Sequence, residues 1–273
     1  MQYAKIILTI GAILIAIGIY FLPKVVVDND KKAIAATKSE APSQPATDSL
    51  HQVSIPDQQL NRLEGLVQSL KGSENNKKSA IFADSLAQTY ASIRLWDSAT
   101  VYGALAVELD PDLNRWIAAG NYYQEAYSFA VDQGEREVLG SKARDYYQRA
   151  LNQQPDLLDV KANMALTYLP EQVMKGVLML REVAEADPTN ELAQYNLGLL
   201  SLQSQQLDKA QNRFEQLVRV NPNHLEGQFY LGVVLFELGK EQEAEAQFLK
   251  VKEIDGSPEV GTLVDDYLNK LDH

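Results

Sequence analysis

The sequence predicts an all-α fold: a superhelical array of about five helical hairpins, capped by a helix at each end and preceded by one membrane-spanning helix. Three features predict it. Residues 6–23 form one uncharged, apolar stretch, and residues 57–272 carry apolar side chains at helical spacing. Residues 80–258 in addition repeat with a period of 34. The period indicates stacked copies of one hairpin, since a single hairpin cannot bury its own apolar face.

Residues 1–27 are predicted to be a transmembrane signal anchor. As an α-helix, the stretch at residues 6–23 spans about 27 Å, close to the ~30 Å hydrocarbon core of a bilayer. The alternative is a cleaved signal peptide, with Ala33, Ala35 and Ala36 as a cleavage site. We favour a retained anchor because the stretch exceeds the usual length of about 7–15 residues, and because the charged residues 28–32 separate it from these alanines.

The flanks of the anchor bear on its orientation. Lys5 precedes the stretch, whereas Lys24, Lys31 and Lys32 follow it, so the positive-inside count alone does not favour export of the folded part. The five-residue head nevertheless resembles that of a signal anchor, which keeps its N terminus inside. We therefore expect a single-pass protein of the inner (cytoplasmic) membrane, with its helical array in the periplasm.

Residues 28–56 are predicted to be a flexible linker, and the array to occupy residues 57–273. The linker contains Pro42, Pro45 and Pro56 among small and polar residues and shows no hydrophobic period. After it, Leu60, Leu63, Leu66, Val67 and Leu70 predict a helix that caps the array. At the other end, residues 259–272 place apolar side chains at helical spacing and predict the second capping helix.

The repeats share one internal spacing, in which a small residue precedes a turn residue by twelve positions. The five pairs are Ala99–Pro111, Ala143–Pro155, Gly176–Pro188, Ala210–Pro222 and Ala244–Gly256. Further identities at the offset of 34 are Gly198 with Gly232 and Phe214 with Phe248. We expect Gly198 and Gly232 to face Ala210 and Ala244, so that the two helices of a hairpin approach closely. Phe214 and Phe248 should then fill the gap toward the neighbouring hairpin.

These residues resemble the tetratricopeptide repeat, whose hairpins stack into a right-handed superhelix. The matched repeats are residues 80–112, 113–156, 157–190, 191–224 and 225–258, about 180 of the 273 residues. The second carries an insertion of about ten residues at 131–141. The third departs most, because Asn163 and Met164 occupy the positions of the motif's Leu and Gly.

The resemblance implies a binding groove, because the first helix of each repeat lines the inner surface in this family. It implies that the groove is apolar and aromatic toward its C-terminal end and polar toward Asp84, Gln88, Asn121 and Gln124. The alternative is that Tyr195 and Phe229 only pack between repeats. Lys161 alone does not supply the Lys/Asn set with which some members hold a terminal carboxylate. The groove positions carried over are Leu192, Tyr195, Leu199, Leu202, Phe229, Val233 and Phe236.

No set of residues in the sequence predicts catalysis, so we expect no enzyme, cofactor or metal. The histidines are His51, His224 and His273, too few and too scattered for a triad or a multi-histidine metal site. Walker A and GxGxxG motifs are absent, and there is no cysteine. Residues 1–40 carry a net charge of +2 out of −12 for the chain, so the rest is strongly acidic and repels nucleic acid.

The sequence thus predicts a membrane-anchored scaffold for protein–protein interactions in the bacterial cell envelope, with a protein or peptide partner and no small-molecule substrate. The layout, and residues 179–218 in particular, resemble Bacteroidetes envelope proteins labelled as TonB-system components. The alternative is a periplasmic chaperone-like accessory of the secretion translocon or of outer-membrane assembly. A cytochrome-maturation accessory has a similar architecture, but no motif in this sequence supports it.

Overall fold

A computed structural model describes residues 55–271, which form twelve α-helices and contain no β-strand. The predicted anchor and the linker up to residue 54 lie outside these residues. None of the helices within 55–271 combines the length and the apolarity that crossing a bilayer requires. The helices are α1 (Asp57–Lys71), α2 (Asn76–Ser92), α3 (Trp96–Leu109), α4 (Leu113–Phe129), α5 (Gln133–Gln153), α6 (Leu158–Leu166), α7 (Val173–Ala186), α8 (Glu191–Gln203), α9 (Leu207–Val220), α10 (Leu225–Glu237), α11 (Glu241–Ile254) and α12 (Pro258–Leu271).

The helices from α2 onward pack in chain order as five hairpins followed by α12. Within each hairpin the two helices contact one another, and each hairpin then contacts the next. The first helices of successive hairpins also touch, α4 with α6, α6 with α8 and α8 with α10. They therefore share one side of the array, as in an α-solenoid.

Side-chain caps in the turns fix where the helices begin. Asn75, Asp112, Asn190 and His224 each accept a hydrogen bond from the backbone N–H three residues later, at the starts of α2, α4, α8 and α10. Asp132 does the same for α5. Each cap satisfies one of the amide groups that a helix N terminus leaves without a partner.

Prolines in the turns fix where three of the second helices end. Asp110, Asp187 and Asn221 follow the last residues of α3, α7 and α9, and each precedes a proline. Their ψ angles are 84°, 95° and 90°, outside the helical region that a following proline disfavours. The chain therefore leaves the helix at these positions and reverses into the next hairpin.

Glycines in the first helices make room for aromatic rings of the second helices. A Cβ atom on Gly198 would lie 2.8 Å from the ring of Phe214, and one on Gly232 would lie 2.8 Å from that of Phe248. The expectation that these glycines face Ala210 and Ala244 is corrected, because the atoms closest to each glycine belong to a ring. The rings are fully buried within their own hairpins, so a side chain on either glycine would displace them.

The second and third hairpins differ from the others. The insertion at residues 131–141 is helical from Gln133 onward, so it lengthens α4 and α5 to 17 and 21 residues. The third hairpin is shorter, because α6 has only 9 residues and a six-residue turn, 167–172, leads to α7. Pro170 lies in this turn, where it prevents α6 from continuing as a regular helix.

Three of the turns inside hairpins place their middle residue in the left-handed region. These residues are Arg94 and Gln205, each with a φ of 59°, and Gly239, with a φ of 71°. Only glycine adopts this conformation without steric cost, so the backbone is strained at Arg94 and Gln205.

We expect Gln205→Gly to raise the free energy of unfolding by about 0.5–1 kcal/mol, because glycine removes the left-handed strain at this exposed position. Denaturant unfolding followed by circular dichroism measures the change. Gly239→Ala is the matched control and should lower stability by a similar amount. A Gln205→Gly variant less stable than the parent would show that its side chain, and not the backbone, matters at this turn.

Candidate functional site

The inner surface of the array is the side on which the first helices α4, α6, α8 and α10 touch one another. Such a surface is continuous across several hairpins, which is how solenoids present an extended binding face. The groove residues inferred from the sequence lie on α8 and α10. Their burial divides them into two groups.

On α8, the groove residues keep part of their surface accessible. Leu192, Tyr195, Leu199 and Leu202 are all half-buried and pack on the cores of the third to fifth hairpins. Phe236 on α10 is likewise half-buried. Partly exposed aliphatic and aromatic side chains in a row can be desolvated by a bound segment, which is the property a peptide groove needs.

On α10, Phe229 and Val233 are core residues, with exposed fractions of 8% and 5%. The ring of Phe229 lies 6.0 Å from that of Phe248 and 5.7 Å from that of Tyr267 on α12. Burial raises the pKa of Tyr267 to about 12. Since α12 covers them, these two residues have little surface left for a partner.

Tyr195 belongs to both groups. Its ring contacts Phe214 in its own hairpin, and His224 and Tyr230 in the next, at centroid distances of 6.4, 5.5 and 6.1 Å. Burial raises the pKa of the Tyr195 phenol above its ordinary value. The residue therefore holds two hairpins together while keeping a partly accessible edge.

The polar end of the inner surface makes bonds between hairpins. Asp84 accepts a hydrogen bond from Nε of Arg115 at 2.9 Å, and Asn121 accepts one from the Tyr147 hydroxyl at 2.8 Å. Burial raises the pKa of Asp84, and the Arg115 guanidinium opposes that rise. Asp84 and Asn121 thus have structural partners.

The remaining polar positions behave differently. Gln88 is exposed and Gln124 is half-buried. Lys161 forms an ion pair with Glu182 of α7, which engages its ammonium group. Within residues 55–271, no group of three or more His, Cys, Asp or Glu side chains is arranged to hold a metal ion.

Two buried glutamines that the sequence did not suggest help to align α8 and α10. Gln194 and Gln228 are 1% and 0% exposed, and their side-chain amides donate to the carbonyl oxygens of Pro188 and Pro222 at 2.9 and 2.6 Å. They occupy the position at which the motif has tryptophan. The offset of 34 residues between them was the available signal.

Comparison with known proteins supports the repeat. Residues 195–258 match the family model described as tetratricopeptide repeat. This stretch contains most of the fourth and fifth repeats, and the predicted repeat type is confirmed there. A comparison with curated protein sequences gives no match.

Solved structures with a similar fold include three bacterial-type repeat proteins. PilF of Pseudomonas aeruginosa is 18% identical, with a TM-score of 0.55 over 72% of this chain and 87% of that one. MamA of Desulfovibrio magneticus RS-1 is 18% identical, with a TM-score of 0.50 over 66% of this chain and 96% of that one. YrrB, a TPR protein with an unusual peptide-binding site, is 18% identical, with a TM-score of 0.46 over 75% and 99%. The predicted helical-repeat fold is confirmed, and such proteins generally mediate protein–protein interactions.

Proposed function

We propose that the chain is a membrane-anchored scaffold that binds a protein partner in the bacterial cell envelope, through the inner surface of its array. The observation that carries the proposal is the row of half-buried Leu192, Leu199 and Leu202 on α8, continued by Phe236 on α10. These side chains lie on helices that are already held rigid by their packing. A bound segment would therefore gain apolar contact at little cost in side-chain ordering.

The anchor and the compartment rest on the sequence. The uncharged residues 6–23 are long enough to cross a bilayer, and the short head favours export of the residues C-terminal to the anchor. A periplasmic array tethered to the inner membrane fits both features. The resemblance to TonB-system components has no counterpart among the similar structures and does not enter the proposal.

The test is a pull-down of the tagged full-length chain from detergent-solubilised membranes of spheroplasts, with protease accessibility measured in parallel. We expect one stoichiometric partner, digestion of the array by protease added to intact spheroplasts, and Met1 at the N terminus of the mature chain. A heterogeneous set of exported proteins would instead identify a chaperone-like accessory. An N terminus near Ala36, or an array protected from protease, would refute the anchor or the orientation.

A further inference from the structure

A second cleft, of about 790 Å³, lies on another side of the array, between the second helices of the third and fourth hairpins. Residues of α7, α8 and α9 line it, and we name it the α7–α9 cleft. From α8 it receives Leu197, Leu200 and Ser201. Since successive residues of an α-helix are about 100° apart, these positions face away from Leu192 and Leu199, so the cleft is separate from the inner surface.

The mouth of the α7–α9 cleft exposes large aliphatic side chains. Met174 and Val173, at the start of α7, have exposed fractions of 64% and 46%, and Leu178 beside them has 52%. Val177 and Leu197 deeper in the cleft are buried, with 9% and 4% exposed. An exposed apolar edge that continues into a cleft is the kind of surface that proteins use for interaction.

The charged groups that line the cleft are mainly cationic, in a chain whose net charge is −12. Arg181, Lys209 and Arg213 stand against Glu185 and Asp208. Among residues 55–271, no carboxylate lies within ion-pair distance of either guanidinium. Burial lowers the pKa of Arg213, the neighbouring Arg181 lowers it further, and Glu185 raises it. Two close, partly desolvated guanidinium groups favour the arrival of an anion.

The positive charge of Arg213 is not required by the repeat. Its Nη1 donates to Oε1 of the buried Gln194 at 3.0 Å. In the next hairpin the equivalent residue, 34 positions later, is Gln247, which donates from its neutral amide to Oε1 of Gln228. A glutamine therefore makes the same structural bond, and the guanidinium is additional.

The other two cations are also specific to this cleft. The residues 34 positions after Arg181 and Lys209 are Glu215 and Glu243, which carry the opposite charge. The same fold is thus built one hairpin further along with acidic side chains at these positions. Since the fold does not need these cations, their clustering is a property of the α7–α9 cleft itself.

We propose that the α7–α9 cleft binds a partner segment that presents large aliphatic side chains and carboxylates on one face, in the manner of an acidic amphipathic helix. The aliphatic side chains would cover Val173, Met174 and Val177, and the carboxylates would pair with Arg181 and Arg213. A second copy of this chain is disfavoured as the occupant, because two chains of net charge −12 repel one another at long range. This site is additional to the inner surface and does not depend on it.

The test uses three labelled synthetic peptides of about 18 residues with one leucine stripe, flanked by Glu, Gln or Lys on the same face. Fluorescence anisotropy measures their affinity for the full-length chain in a non-ionic detergent. We expect the Glu peptide to bind about tenfold more tightly than the Gln peptide at low ionic strength, and the Lys peptide more weakly still. The advantage should shrink as salt screens the charges.

Variants of the chain separate charge from folding. The double variant Arg181→Gln/Arg213→Gln should abolish the preference for the Glu peptide with the melting temperature held, since a glutamine can keep the bond to Gln194. Arg181→Glu should reverse the preference, so that the Lys peptide now binds more tightly. Arg219→Gln, at an exposed position of α9 outside the cleft, is the control and should change neither affinity.

The apolar part is tested separately. Met174→Ser should weaken all three peptides several-fold, whereas Val101→Ser, with a similar exposed fraction of 62% on α3, should weaken none. The proposal is overturned if the Glu and Gln peptides bind alike, or if the folded arginine variants bind as the parent does. It is also overturned if Arg181→Glu disrupts self-association of the chain, which would identify a second copy as the occupant.

One further arm distinguishes this site from the proposed function. Leu199→Ser/Leu202→Ser on the inner surface should leave peptide binding to the α7–α9 cleft unchanged. Loss of peptide binding in that variant would place the peptide on the inner surface and overturn the inference, while leaving the proposed scaffold function intact.

Discussion

Replacing Phe214 by alanine is expected to lower the free energy of unfolding by about 3–5 kcal/mol, the usual cost of truncating a fully buried aromatic ring. The ring is 0% exposed and stacks on Tyr230 of the next hairpin at 5.7 Å. It also fills the space above Gly198. Removing it therefore opens a cavity inside the fourth hairpin and at its junction with the fifth. Denaturant unfolding followed by circular dichroism measures the loss, and Leu249→Ala, at a residue that is 47% exposed, should change stability by only about 0.5 kcal/mol.

The same ring predicts how Gly198 responds to substitution. In the parent chain, Gly198→Ala should be destabilising by about 1–3 kcal/mol, because the new Cβ meets the Phe214 ring at 2.8 Å. In the Phe214→Ala background the clash is gone, and Ala should stabilise α8 by up to about 1 kcal/mol relative to Gly. The two substitutions thus form a double-mutant cycle. Equal effects of Gly198→Ala in both backgrounds would show that the ring is not the reason for the glycine.

The period of 34 residues identifies which positions in the repeats matter, but not which of them touch. Gly198, Ala210 and Phe214 all recur one period later, and the spacing alone suggests Ala210 as the site of close approach. The structure places the Phe214 ring against the glycine instead. A ring extends far from its own Cα, so the sequence position of an aromatic residue does not tell where its outer atoms lie. Spacing alone therefore predicts the hairpin and leaves its contacts open.

The irregular hairpins are recognisable from the sequence only as departures from the repeat. The sequence marks residues 131–141 as an insertion without indicating its structure, and they prove to lengthen helices, because Asp132 caps the N terminus of α5. In the third hairpin, Asn163 and Met164 replace the motif's residues, and α6 is indeed short. Caps and prolines are local signals, whereas the length of a helix also depends on which neighbour it packs against.

The groove shows the same limit at the level of the site. The motif carries inner-surface positions from one repeat to the next as equivalents, and it therefore groups Phe229 and Val233 with Leu199 and Leu202. The fifth repeat, however, is the last, and the Tyr267 ring of α12 lies 5.7 Å from Phe229. A capping helix covers what an internal repeat leaves open. Which positions stay accessible depends on the end of the array, and this is a tertiary property.

The second large effect concerns partner binding at the accessible part of the inner surface. We expect Leu199→Ser/Leu202→Ser to weaken capture of the partner by roughly thirtyfold, which corresponds to about 2 kcal/mol. Both leucines are half-buried on α8, and their remaining surface is what a bound segment would cover. Serine keeps a small side chain but removes that apolar contact. The affinity of purified variants for the isolated partner is the measurement.

The control for this variant must match it in burial. Leu207→Ser changes a leucine that is also half-buried, but on the second helix of the same hairpin, so it should lower stability comparably and leave capture unchanged. Phe229→Ala is the contrasting case. Because Phe229 is 8% exposed, its truncation should cost about 3–5 kcal/mol of stability, and any loss of capture should follow the loss of the folded state. If Leu199→Ser/Leu202→Ser captures the partner as the parent does while remaining folded, the inner surface is not where the partner binds.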